Sequence, residues 1–262
     1  MYCHFNSAER ELLSNYDGDL ILLAHPDQYL LTLMSIPRLS SRLKSMVFRE
    51  RFHDEIQELE NDITTVSLAI SEVMGSISLF EILKYVLKVG NYLNGSSFRG
   101  DAYGFRIESL LSLRDTKSTA GDRNNTLLNH VARQLKKSGT DGQKLVVEIS
   151  HVEIVATQIN IIIIQKAIGA LCEGLASLKR EIELYTVEMT SNIDPNDRFK
   201  LAFEAFINTA EPRLARLLNI DRKVRNDLNL LWINFGEDPS ERNQAPHVFF
   251  ETIFKFQKML LV

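Results

Sequence analysis

The residues of this chain whose types and spacing could do chemistry are few, and each set falls short of a reaction centre. Gly95–Gly100 is glycine-rich, but it lacks a Gly-Lys-Ser or Gly-x-Gly-x-x-Gly arrangement and does not join a strand to a helix, so it does not read as a phosphate cradle. Carboxylates paired at helix spacing are abundant, yet they fall on polar faces where water solvates them. Cys172 lies among apolar residues of a heptad pattern, which predicts an inert core thiol rather than a nucleophile. His130 has no second His or Cys at ligand spacing, so it is read as a surface or half-buried histidine. Arg99-Gly100-Asp101 spells an adhesion tripeptide and Asn94-Gly95-Ser96 a glycosylation acceptor, both coincidental in an intracellular chain. No catalytic residue, cofactor site or metal site is expected, and the chain is not read as an enzyme. What remains is charge. Arg114 and Lys117 stand at i, i+3 with Asp115 between them, a compact turn able to present an ammonium group to an acidic surface.

Composition sets the surroundings in which such a surface would act. With 262 residues the chain can bury roughly 70–75% of its unfolded surface, enough for one or two cores without covalent staples. Two cysteines, Cys3 and Cys172, are too few and too far apart for a disulfide framework, which favours a reducing compartment. No apolar run approaches the ~18 residues of a membrane span, and Met1–Asn6 has no basic start, so no membrane partner is expected. A formal net charge of −4 argues against general nucleic-acid binding. The expected location is the cytosol or nucleus.

The positioning elements are all helices. Met1–Ser7 is read as a flexible end, and Ala8–Tyr16 as the remnant of an interrupted helix. Pro26 marks a first helical turn, followed by the apolar face Tyr29, Leu30, Leu33 and Met34, and Pro37 closes it. Leu39, Leu43, Met46 and Val47 then make a short helix, with Arg38, Arg42, Lys44, Arg49 and Arg51 around it as a solvated basic surface. From Phe52, the steps Ile56, Leu59, Ile63, Val66, Ile70 and Val73 predict a coiled-coil seam ending at Gly75-Ser76. Phe80–Val89 is a helix predicted to stop at Gly90-Asn91, with Asn94–Gly104 as an exposed loop and Asp122–Asn125 as a second polar break. Ile154, Ile161, Ile164, Ile168, Leu171, Leu175, Leu178, Ile182 and Tyr185 predict one rod on the order of 48 Å at ~1.5 Å per residue. Asn192–Asn196 ends it. Phe199 to Leu231 carries a further pattern, in which Pro212 should start a new turn or kink the helix, and Pro246–Leu260 closes the chain as a docking helix. No strand pattern survives, so the fold class is all-α.

Three blocks in order carry a family resemblance: Gly90-Asn91-Tyr92-Leu93-Asn94, then Gly100-Asp101-Ala102-Tyr103-Gly104-Phe105, then Leu113-Arg114-Asp115-Thr116-Lys117-Ser118 with Thr126-Leu127-Leu128. Together they resemble the signature of the formin homology-2 domain, the actin-assembly core of formins. The resemblance implies an elongated helical bundle of knob, coiled-coil and post regions. Along this chain they would be the remaining knob at 8–51, a coiled-coil helix at 52–79, the signature post region at 80–140, and long helices with the closing helix at 141–262. It implies that Lys117, with Arg114 beside it, contacts actin. It further implies that Gly90, Asn91, Tyr92, Leu93, Asn94, Gly104 and Phe105 lie where the lasso of a second copy docks. The implied partners are actin and a second copy, and the implied place is the cytoskeleton.

The resemblance begins partway through the family's knob. The lasso with its paired tryptophans has no counterpart in these residues, and the single tryptophan, Trp232, stands near the other end. The expected function is regulation of actin filament nucleation and elongation at barbed ends; the alternative is a dimerisation scaffold that has lost actin. The run Ile161-Ile162-Ile163-Ile164 is a second departure. Steps of ~100° spread four isoleucines around a helix, so either they mediate a lasso-independent self-association or they are buried in the chain's own bundle.

Overall fold

A computed structural model describes residues 7–95, 97, 100–117, 125–139, 142–188 and 197–261. Among the described residues eleven α-helices run in order: α1 Ser7–Ser14, α2 His25–Met34, α3 Leu39–Gly75, α4 Ile77–Asn94, α5 Leu127–Lys137, α6 Gly142–Glu148, α7 Ser150–Thr157, α8 Ile161–Glu188, α9 Phe199–Asn234, α10 Pro239–Arg242 and α11 Pro246–Leu260. Two 3₁₀ helices, η1 Leu20–Leu22 and η2 Ile107–Arg114, complete the described elements. The fold is all-α: the one strand-like feature among the described residues is an isolated antiparallel bridge between Lys117 and Thr126. The chain divides into two compact units, Met1–Gln57 with Gly169–Ala215, and Glu58–Ile168 with Arg216–Val262.

In the first unit the heptad residues do what their spacing predicts. Phe52, Ile56, Leu171, Leu175, Leu178, Ile182, Phe203 and Leu214 are all buried, and Phe48, Phe52 and Phe206 meet edge to face with centroids 5.3–6.3 Å apart. Gly174 admits the Phe48 ring, since a Cβ there would lie 2.3 Å from it.

Two residues of the basic cluster, Arg38 and Arg42, correct the solvated reading, whereas Lys44 and Arg51 are exposed as expected. Arg42 is only 8% exposed. Its guanidinium donates to Asp197 Oδ2 at 2.7 Å and lies over the rings of Tyr185 and Phe199 at 4.9 and 4.8 Å. Arg38 pairs in a fork with Glu181, at 2.6 and 2.7 Å. Carboxylates far along the chain neutralise both, which a scan of one helix could not reveal. Burial alone would raise the Asp197 carboxyl, but the Phe199 amide, Arg42 and the Tyr185 hydroxyl outweigh it and hold it below its ordinary value.

The second unit is organised around α11, which packs against α7, η2, α6 and α5. Phe249, Phe250, Ile253 and Phe256 are fully buried, and Trp232 on α9 lies edge-on to Phe249 with centroids 5.1 Å apart. The seam residues Leu59, Ile63, Val66, Ile70 and Val73 are likewise buried.

Four boundaries differ from the sequence expectation. The helix predicted to begin a seam at Phe52 starts at Leu39, as one element of 37 residues. Pro212 begins no new helix: it sits inside α9, which continues through it as one element. The predicted rod is two helices, because the Asn160 side chain accepts from the amides of Ile162 and Ile163 at 3.1 and 3.2 Å and caps a new start. Ile154 accordingly leaves the seam and is 37% exposed. The fourth, at Gly90, belongs to the site below. The predicted break at Asn192–Asn196 lies outside the described residues. In α8, Ile161–Val187 is long and apolar enough to cross a membrane by length and composition, although the sequence scan found no such run. Its seam from Ile164 to Tyr185 is nonetheless buried by the chain itself.

The α3–α4 corner turns by 52° at Ser76, whose hydroxyl accepts from the Leu79 amide at 3.0 Å. Glu148 completes the cap, accepting from the Ser76 hydroxyl at 2.7 Å, the Ser78 hydroxyl at 2.7 Å and the Ser78 amide at 3.0 Å. Burial pushes this carboxyl up, but the bonds from Ser76 and Ser78 outweigh it and hold it below the ordinary 4.5. Since the folded value is the lower, the cap stabilises the fold above the ordinary value, and that contribution is lost as pH falls through the folded one. Glu148→Gln is expected to cost about 1 kcal/mol near neutrality, given the partial exposure, and nothing in acid. Urea midpoints of the two proteins, measured from pH 7 downward, should converge below 4.5.

Candidate functional site

The signature residues gather where α4 ends. α4 does not stop at Gly90-Asn91 as the sequence predicted; it runs on to Asn94. Neither residue has a positive φ, and no atom beyond its chain neighbours and the adjoining helix backbone lies within 4 Å of a Cβ built on Gly90. The real constraint is at Asn91, whose side-chain amide donates to Ala102 O and accepts from Ala102 N, both at 2.9 Å. It thus satisfies a loop backbone as a neighbouring strand would. Asp101 takes a left-handed φ of 55° to present that backbone. A Cβ on Gly100 would lie 2.8 Å from Asn94 O and 2.9 Å from Gly95 Cα, so only glycine lets the loop fold back onto the helix end.

This arrangement opens an apolar groove of about 350 Å³. Gly90, Asn91, Asn94, Gly104 and Phe105 line it, so five of the predicted docking residues come together in one place. The other two, Tyr92 and Leu93, point outward at 86% and 56% exposure. Leu113 and Leu127, which fall in the motif blocks but were not assigned to docking, and Val86 and Val131, which lie outside those blocks, supply more of the apolar wall. Their signal was the ordinary apolar spacing of a core, which does not distinguish a covered face from a groove.

One wall is η2, whose Ile107, Leu110 and Leu113 are buried. Arg242 anchors its first turn, bonding both Glu108 and Glu237, the latter at 2.9 Å. Burial alone would raise the Glu108 carboxyl, but Arg242 outweighs it and holds the group below its ordinary value. Arg114 ends η2, and both Arg114 and Lys117 are exposed. The Lys117–Thr126 bridge, with the Leu127 amide donating to Thr116 O at 2.8 Å, fixes the backbone of the turn that carries Lys117. Ser118 and most of the predicted break at Asp122–Asn125 lie outside the described residues.

The isoleucine run divides by face. Ile161 and Ile164 are buried in the chain's own core, Ile162 is half-buried, and Ile163 is 62% exposed. Among the described residues no group of three His, Cys, Asp or Glu side chains is placed to hold a metal ion. His130 is exposed, and Cys172 is half-buried rather than in the core.

The helical scaffold thus pins an apolar groove beside an exposed basic turn. Comparison with known proteins gives the family. A family model described as Formin Homology 2 Domain matches residues 5–261. Formin-like protein 3 of Oryza sativa subsp. japonica is 30% identical over 253 residues, covering 94% of this chain and 20% of its own length. Formin-like protein 21b of Arabidopsis thaliana is 30% identical over 233 residues, 89% of this chain and 56% of its own. Formin-H of Dictyostelium discoideum is 30% identical over 252 residues, 94% of this chain and 22% of its own. The chain belongs to the formin homology-2 family, and it spans from a fifth to rather more than half the length of these relatives.

Proposed function

We propose that the chain binds actin and regulates filament nucleation and elongation at barbed ends, with Lys117 and Arg114 as the actin contact. The groove of Gly90, Asn91, Asn94, Gly104 and Phe105 is the docking slot for a segment of a second copy, and Tyr92 and Leu93 present apolar surface beside it. The observation that carries this reading is that residues picked from separated motifs line one apolar groove, with the basic turn leaving its η2 wall. An exposed ammonium on a backbone held by the Thr126 bridge suits an acidic protein surface, because its position is fixed before contact. The place of action in this reading is the cytoplasmic cytoskeleton or the nucleus.

Filament elongation from preformed seeds tests it. The chain is expected to slow or cap barbed-end growth, and Lys117→Asp should weaken that effect by about tenfold or more, as expected for reversing a charge at a protein contact. Unchanged growth at saturating protein would leave the scaffold alternative, in which the docking groove works without actin.

A further inference from the structure

The outer face of α9 carries charge that the chain itself does not neutralise. Arg216, Lys223 and Leu230 follow at seven-residue steps, so they form one stripe along the helix, with Arg222 beside it. All four are exposed, Leu230 to 55%. Arg225 is paired with Asp221 at 2.8 Å, whereas no carboxylate pairs with Arg216, Arg222 or Lys223 among the described residues. The complementary feature lies on α3. Glu58 is exposed and Asp62 half-buried, one turn apart, and no cation pairs with either among the described residues. Burial and the neighbouring Glu58 charge both push the Asp62 carboxyl up. Leu68, further along α3, is 43% exposed.

We propose that the outer face of α9 docks on the outer face of α3 of a second copy, setting Arg216, Arg222 and Lys223 against Glu58 and Asp62 and covering Leu230. Charge complementarity selects the occupant. The base stripe and the acid pair belong to the same chain, each is unsatisfied within it, and a second copy supplies the missing sign to both at once. The contact uses neither the α4 groove nor the isoleucine run. Exposed ion pairs are individually weak, so this is a low-affinity, salt-sensitive association, separable by its salt dependence from docking in the α4 groove.

Sedimentation velocity on the whole chain decides it. At about 100 μM in about 50 mM salt the chain should self-associate, and about 500 mM salt should weaken the association roughly tenfold or more. Arg216→Glu with Arg222→Glu and Lys223→Glu, and separately Glu58→Lys with Asp62→Lys, should each lose the salt-sensitive association. An equimolar mixture of the two variants should associate again, because every opposed pair then regains opposite sign, and this recovery also shows that both are folded. A wild-type mass of one chain in low salt overturns the proposal. So does salt-sensitive association that persists in either variant, or a mixture that does not regain it.

Discussion

Trp232→Ala is expected to destabilise the second unit by about 3–5 kcal/mol, the range for removing a large buried aromatic. Trp232 is fully buried. Its ring contacts Phe249 and Phe250 with centroids at 5.1 and 6.4 Å, and its indole N–H donates to Asn243 Oδ1 at 3.0 Å. Truncation therefore leaves a cavity among aromatic rings and an amide without its donor. α11, which carries both phenylalanines, also packs on η2, so the loss reaches a wall of the groove. Urea unfolding followed by far-ultraviolet circular dichroism measures the effect, since the substitution removes the chain's single tryptophan. A midpoint near wild type would mean that the aromatic cluster does not hold this unit together.

The second large effect is expected at Arg42, in the other unit. Arg42→Ala should cost about 3–5 kcal/mol, because it strands the Asp197 carboxylate in a site that is 19% exposed and removes the cation from between two rings. Asp197→Asn alone should cost less, since the amide oxygen can still accept from Phe199 N, the amide NH2 can donate to the Tyr185 hydroxyl oxygen, and Arg42 keeps its ring contacts. The double substitution should cost less than the sum of the two, the sign of a direct interaction. Hydrogen exchange across α8 and the start of α9 reads this unit separately from the one that holds Trp232. Equal, additive and small effects would contradict the pairing.

What the sequence made legible follows from which forces are local. The seams at Ile56–Val73 and Ile164–Tyr185 could be read because burial of one face leaves a three-four period along the chain, and nearly every residue they name is buried. The misreadings arose where a distant or side-chain contact overrode a local preference. Gly90-Asn91 looked like a helix stop from its residue types, yet α4 continues, and Asn91 works by clamping Ala102 across a loop. Arg42 looked solvated because its partner, Asp197, lies 155 residues away. The rod through Ile154 and Ile161 kept its period across a break, so only the capping role of Asn160 could have revealed the two helices. The groove was half legible: motif residues named one side, but the apolar wall from η2 and α5 depends on packing.

The central proposal is that the turn ending in Lys117 meets actin. Amide hydrogen exchange of the chain, alone and with excess actin, tests it most directly. The account predicts slowed exchange in peptides spanning Leu113–Lys117, and loss of that slowing in Lys117→Asp. Unchanged exchange there, with protection confined to other segments or absent throughout, would contradict it.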